Sequence, residues 1–249
     1  MLMNNEIKNF EFALKHGDSQ KIKDILSKNP KGYNAFLLKE TDALSTMCGK
    51  GDLEGVRLLI ENGAKVTRNE DVEYGPFHMA CSNGNVEIVQ LLIDHGAHIN
   101  ELDVDFYGCD GGGKTPLHYA SDKECIQLLL KHSAKINAKD DMGKTPLHYA
   151  YDGDRMRLNE ECIRLLVRNG ADINAQDIFG KTPLHYFYNK PEFVMAMLEL
   201  GANLHIKDRS GCTALDEAIK ALEYSKWDKN RNLFCVELLR EHMQKQNNV

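Results

Sequence analysis

Thr115-Pro116-Leu117-His118 returns as Thr145-Pro146-Leu147-His148 and again as Thr182-Pro183-Leu184-His185. A phrase written three times in one chain constrains the fold more than any other feature, because every copy must build the same local structure and stack on its neighbours. Gly75-Pro76-Phe77-His78 and Thr213-Ala214-Leu215-Asp216 are weaker copies. A second phrase keeps step with the first: Asn62-Gly63-Ala64, His95-Gly96-Ala97, His132-Ser133-Ala134, Asn169-Gly170-Ala171 and Leu200-Gly201-Ala202. Its middle residues lie 33, 37, 37 and 31 apart.

Elementary chemistry reads one unit as two helices. Thr145 offers a helix N-cap hydroxyl and Pro146 is preset for the first turn, where its missing N–H is not needed, so helix A begins there. Helix B follows over Glu161 to Val167 and ends at Asn169-Gly170, where glycine takes the left-handed position beyond the helix at little steric cost. Ala171 to Gly180 then leads into the next cap. Neither helix can bury its apolar face alone, so stacked neighbours must do it.

A period near 33 residues with Thr-Pro-Leu-His in each unit resembles the ankyrin repeat family, and the resemblance covers nearly the whole chain. It implies an all-α solenoid of stacked helix–turn–helix units with projecting β-hairpin-like fingers. It also implies that the motif histidine, at His78, His118, His148 and His185, bonds backbone across the finger. The chain divides on this reading as a single ankyrin-repeat domain over 1–249. An N-terminal capping unit takes 1–38, with helices around Phe10 to His16 and Ser19 to Leu26. Five repeats fill 39–208, at 39–71, 72–111, 112–141, 142–178 and 179–208. A C-terminal capping unit takes 209–243, and 244–249 is a frayed tail.

Composition narrows the partners. The 31 Lys and Arg against 37 Asp and Glu leave a net charge of −6, which gives no field to attract a phosphate backbone or an anionic lipid surface. No apolar run approaches the roughly 18 residues needed to span a bilayer. The opening MLMNNEIKN lacks the basic and apolar regions of a secretory signal, so the expected location is cytoplasmic, or a host cytosol reached without such a signal. The 7 cysteines are scattered and contain no Cys-x-x-Cys pair, which argues against a disulfide framework and against a zinc knuckle. No cofactor, metal, nucleic acid or membrane is expected, and the chain is expected to be a monomer.

Departures from the repeat mark where something other than stacking is at work. Asn137 to Thr145 and Asn174 to Thr182 each measure 8 residues, whereas Asn100 to Thr115 measures 15. In the fourth repeat 4 residues enter the turn between helices near Asp152 to Asn159, and the third repeat is 3 shorter there. The closing unit gains about nine residues around Tyr224 to Asn232, with the only tryptophan, Trp227.

Four motifs could carry chemistry. Gly108 to Thr115 fits the phosphate-loop pattern G-x-x-x-x-G-K-T, but an acidic run precedes it where a buried strand is required, and Pro116 removes a backbone donor. Gly-Lys-Thr-Pro also recurs at 143–146 and 180–183, so the repeat itself explains the match. Asp103, Asp105 and Gly108 match three positions of a calcium loop, yet Tyr107 and Lys114 fall where ligands belong. Cys125, Cys162 and Cys235 share the slot of Ile88 and Val194 on helix B, the place of a small buried hydrophobe. Cys109 is the one cysteine expected to be exposed. Asn100, Asn137 and Asn174 each follow a leucine by 8 residues, as do asparagines hydroxylated in the family, but a structural role in capping the finger turn is the expected one.

What remains is surface. Finger tips and the exposed helix A positions form the concave face that the family uses for partner binding. The candidate contact residues are Glu70, Asp71, Glu73 and Tyr74 on the first tip, and Asp103, Asp105, Phe106 and Tyr107 on the long finger. Asp141 and Met142 follow, then Ile178 and Phe179. Tyr119, Tyr149 and Tyr186 follow the motif histidine and form a ladder along the inner helices, either packed between repeats or turned to a partner. Aromatic anchors ringed by charge are the composition of a protein interface. The expected function is a non-catalytic protein–protein interaction module whose partner is basic where it meets these acids. An effector acting in a host cell is one version, and a host-type adaptor, inhibitor or assembly chaperone is another. A nucleotide-dependent switch or a cysteine enzyme is the alternative of a different class.

Overall fold

In the computed structural model residues 2–28, 42–68, 72–105, 111–120, 122–150, 160–224 and 229–247 are described, and they form two compact units, 1–134 and 135–249. Phe106, Tyr107, Cys109, Glu70, Asp71, Trp227 and the inserted turn near Asp152 to Asn159 lie outside the described residues.

The first unit stacks four helix pairs. They are α1 (Leu2–His16) with α2 (Ser19–Lys28), α3 (Ala43–Lys50) with α4 (Leu53–Glu61), α5 (Pro76–Asn83) with α6 (Val86–Asp94), and α7 (Pro116–Tyr119) with α8 (Lys123–Lys131). The second stacks three: a 3₁₀ turn (Pro146–Ala150) with α9 (Glu160–Arg168), α10 (Pro183–Tyr186) with α11 (Pro191–Glu199), and α12 (Ala214–Tyr224) with α13 (Lys229–Asn247). Among the described residues there is no strand. The first helix starts well before Phe10. The last runs to Asn247 rather than stopping at 243, since no glycine or proline halts Met243 to Gln246.

Helix A is short wherever the motif is most regular. α7 and α10 are single turns of 4 residues and the third copy is 3₁₀. In the third repeat the deletion leaves only Ala120 to Asp122 before Asp122 caps α8 by accepting from the Cys125 amide at 2.8 Å. Asp52 and Asn85 cap α4 and α6 in the same way. After α10, Pro191 opens the next helix at its first turn, which forces the chain to leave the preceding one.

Helix B supplies the core. Leu59, Leu92, Leu129, Leu166 and Met197 occupy one repeated slot at 0–1% exposure. Each such burial removes a side chain worth about 1.5–3 kcal/mol from water. Cys125, Cys162 and Cys235 are fully buried in the slot of Ile88, four residues ahead of the leucine slot, and in α11 the position falls to Phe193 rather than the expected Val194.

The motif histidine is a neutral cross-brace with a fixed tautomer. At His148, Nδ1 accepts from the Thr145 amide at 3.0 Å and hydroxyl at 2.9 Å, while Nε2–H donates to the Lys181 carbonyl at 3.2 Å. His185 repeats this with Thr182 and the Cys212 carbonyl. In the first unit, Thr115 donates to His118 Nδ1, and His78 Nε2–H reaches the carbonyls of Glu101 and Lys114. Burial lowers the pKa of these imidazoles, His148 to about 4 and His78 and His185 in the same direction. Asparagines join neighbouring units as well. Asn137 donates to the Gly170 carbonyl at 2.9 Å and accepts from the Asp172 amide at 2.8 Å, and Asn174 accepts from the Asn203 amide at 2.9 Å.

Candidate functional site

Four fingers are closed by an aspartate at the same position. Asp140 Oδ1 accepts from the amides of Met142 at 2.9 Å and Lys144 at 2.8 Å. Asp177 holds the Phe179 and Lys181 amides at 2.8 Å each, and Asp208 holds those of Ser210 and Cys212. Asp103 does the same for the Lys114 amide at 2.7 Å, so the seven-residue insertion leaves the base of that finger intact and lies beyond it. All four aspartates are 5–6% exposed.

The second carboxylate oxygen is taken by a tyrosine. Tyr149 O–H donates to Asp140 and Tyr186 O–H to Asp177, both at 2.5 Å, and Tyr119 O–H donates to Asp103. The three tyrosines are therefore finger braces, with their polar ends turned inward. Tyr119 is only 7% exposed, packed edge-on against Tyr74 and His78 with ring centroids 5.7 Å away in each case. Burial, then the Asp177 bond, pushes the Tyr186 phenol well up. Lysines cover the rings: Lys144 Nζ sits 5.4 Å from the Tyr149 centroid and 4.8 Å from that of Tyr186.

In the second unit, tips are tied tip to tip. The Ile178 amide donates to the Met142 carbonyl at 3.0 Å and the Arg209 amide to the Phe179 carbonyl at 2.9 Å. That approach requires Gly143 and Gly180. Both have positive φ, and a Cβ on either would stand 3.0 Å from the next tip's amide nitrogen. The result brings Met142, Ile178 and Phe179 into one apolar edge, with Asp141 exposed beside it. Ile178 is 39% and Phe179 47% exposed on a backbone tied by the Ile178 and Phe179 amides and the Phe179 carbonyl.

Other sequence candidates are placed differently. Asp103 is a buried structural carboxylate with no oxygen turned outward for a partner, and Tyr119 is packed rather than presented. Glu73 and Asp105 are half-exposed, the former accepting the Val104 amide on its carbonyl and the latter holding the Gly111 amide at 3.0 Å. In the phosphate-loop match the amides are already in use: Lys114 N–H goes to Asp103, Thr115 N–H to His118 and Gly111 N–H to Asp105. Among the described residues of the letter match, these three amides are therefore not free to cradle a phosphate. Among the described residues no group of three metal-binding side chains comes together, and no helix is long and apolar enough to cross a membrane. Cys109 lies outside the described residues; of the described cysteines, Cys212 is half-exposed at the base of the last finger and the others are buried.

The Asp–Tyr brace escaped sequence reasoning, although its signal is present: Asp140 and Asp177 each precede a tyrosine by 9 residues. The lysines at 144 and 181 were hidden for the opposite reason, being absorbed into the repeated Gly-Lys-Thr-Pro.

Stacked helix pairs, bonded fingers and an outward apolar edge define a repeat protein built for contact. The profile of the family described as Ankyrin repeats (3 copies) matches residues 10–103, 101–177 and 154–249, and the chain belongs to that family. Its fold is similar to the crystal structure of the human ASB11 ankyrin repeat domain, with TM-score 0.69 and 23% identity over 91% of this chain and 96% of that one. No curated protein sequence matches it. As an ankyrin array, the chain is a protein–protein interaction module.

Proposed function

We propose that the chain binds a partner protein through the finger-tip edge of its second unit, without catalysing a reaction. The observation that carries this is Ile178 and Phe179 exposed, with Met142 half-exposed beside them, on tips whose backbone is tied down by hydrogen bonds. Large apolar side chains on a rigid support lose little freedom on binding, which is how hot-spot residues act. Asp141, exposed beside them, favours a partner with a basic segment or surface. Buried free thiols at Cys48, Cys81, Cys125, Cys162 and Cys235 suit a reducing cytosol, and the chain works as a monomer without nucleic acid or membrane.

The test captures partners from lysate, purifies the enriched one and measures its affinity for wild type and for Met142→Ala/Ile178→Ala/Phe179→Ala. Loss of at least about tenfold in affinity is expected from removing such anchors. Asp141→Lys should slow association and reduce its dependence on salt. Equal affinity for wild type and the triple variant overturns the site.

A further inference from the structure

Cys212 and Lys220 form a thiol–amine pair in contact. Lys220 Nζ stands 2.9 Å from Cys212 Sγ. The cysteine backbone is fixed at both ends, its amide donating to Asp208 at 2.9 Å and its carbonyl accepting from His185 at 3.2 Å. Lys220 reaches back from α12, where the Glu217 carboxylate, 3.6 Å away, holds the same ammonium. Its side chain is 49% exposed and Cys212 is half-exposed, so a small oxidant has access. Five other cysteines are fully buried, and burial pushes the Cys48 and Cys81 thiols up, which leaves them inert.

We propose that Cys212 is a peroxide-sensitive thiol and that Lys220 captures its oxidised form in a reversible S–N cross-link. Hydrogen peroxide is the oxidant. The sulfur, having released its proton, attacks one peroxide oxygen; the S–O bond forms, the O–O bond breaks, and the departing hydroxide takes a proton to leave as water. Sulfur is oxidised by two electrons to a sulfenic acid and the peroxide is reduced. The ammonium at 2.9 Å is the nearest proton source, and giving up that proton turns Lys220 into a neutral amine. Its lone pair then attacks sulfur: the S–N bond forms, the S–O bond breaks, and a second water departs. The product is a sulfenamide that ties the last finger to the second turn of α12 and removes the Lys220 charge from beside Glu217. A thiol reductant restores both side chains.

Because Cys109 lies outside the described residues, the experiment uses the full chain carrying Cys109→Ser, treated with hydrogen peroxide and mapped with trypsin. Expected is a peptide that fails to cleave after Lys220 and is lighter by about 2 Da, with cleavage restored by dithiothreitol. Cys212→Ser should abolish the product. Lys220→Arg should leave the sulfenic acid in place and raise its labelling by dimedone several-fold, with circular dichroism confirming that the variants are folded. Equal dimedone labelling of wild type and Lys220→Arg, with Lys220 still cleaved in both, overturns the pairing. A linked peptide that retains the oxygen, heavier than the sulfenamide by about 16 Da, overturns the S–N step.

Discussion

Ser133 stands where the other repeats carry glycine. Gly63, Gly96, Gly170 and Gly201 end their B helices at φ between 86° and 96°, and Ser133 is forced to φ 66° so that its amide reaches the Leu130 carbonyl and the Ala134 amide that of Leu129. An L-residue pays about 1–2 kcal/mol for the left-handed region, which a glycine does not. No side-chain neighbour offsets the cost at the equivalent glycines, where a Cβ would meet nothing within 4 Å. Ser133→Gly should therefore stabilise the protein by about 0.5–1 kcal/mol and raise its melting temperature by about 2 °C, measured by calorimetry. Gly180→Ser should do the reverse, since a Cβ there lands 3.0 Å from the Arg209 amide nitrogen. An unchanged melting temperature in Ser133→Gly would mean that the serine gains locally as much as its backbone costs.

Within one finger, the aspartate organises and the tyrosine completes. Asp177 accepts two amides on one oxygen and Tyr186 on the other, so Tyr186→Phe leaves a buried carboxylate oxygen without its donor. Such a loss costs about 1–3 kcal/mol and should be matched by Tyr149→Phe, read as a shift in urea midpoint at constant slope. A Tyr186→Phe variant as stable as wild type would show that water replaces the phenol at no cost. The last finger lacks this brace, for Asp208 has Glu217 nine residues on. How much of this was legible follows from what repeats. The helix pairs, the left-handed glycines and the two helix B slots, that of Leu59 and that of Cys125, could be read directly, because each is a one-residue rule copied in phase. The length of helix A could not, because it depends on how the following cap competes for the same residues, as Asp122 and Pro191 do. The apolar edge was legible in Met142, Ile178 and Phe179, whose chemistry is apolar at a turn. The Asp103–Tyr119 bond was not, since sequence shows the polarity of both residues but not that they spend it on each other.

At the scale of the molecule the repeated histidine becomes a shared weakness toward acid. His148 must stay neutral to accept from Thr145, and its pKa falls from 6.5 to about 4 through burial. The unfolded chain thus binds the proton first. The stability His148 contributes is complete above pH 6.5 and is lost as pH falls toward about 4, amounting to about 3 kcal/mol. His78 and His185 shift in the same direction for the same reason, so the loss recurs in both units. Below that window two carboxylates continue it. At Asp208 burial works upward but the Cys212 and Ser210 amides outweigh it, and at Asp216 the Thr213 amide dominates, so both are held under the ordinary 3.8. Asp42 opposes them. Burial raises it to about 6, so its contribution grows as pH falls from about 6 toward 3.8 and offsets part of the histidine loss. The sum should still be a steep fall in unfolding free energy between about pH 6.5 and 5, followed by urea titration at several pH values. His148→Asn should be less stable at neutral pH yet show a shallower fall, because the group that binds the extra proton on unfolding is gone. If wild type and His148→Asn keep the same slope, the acid sensitivity lies in the carboxylates and the imidazoles only hold the fingers in place.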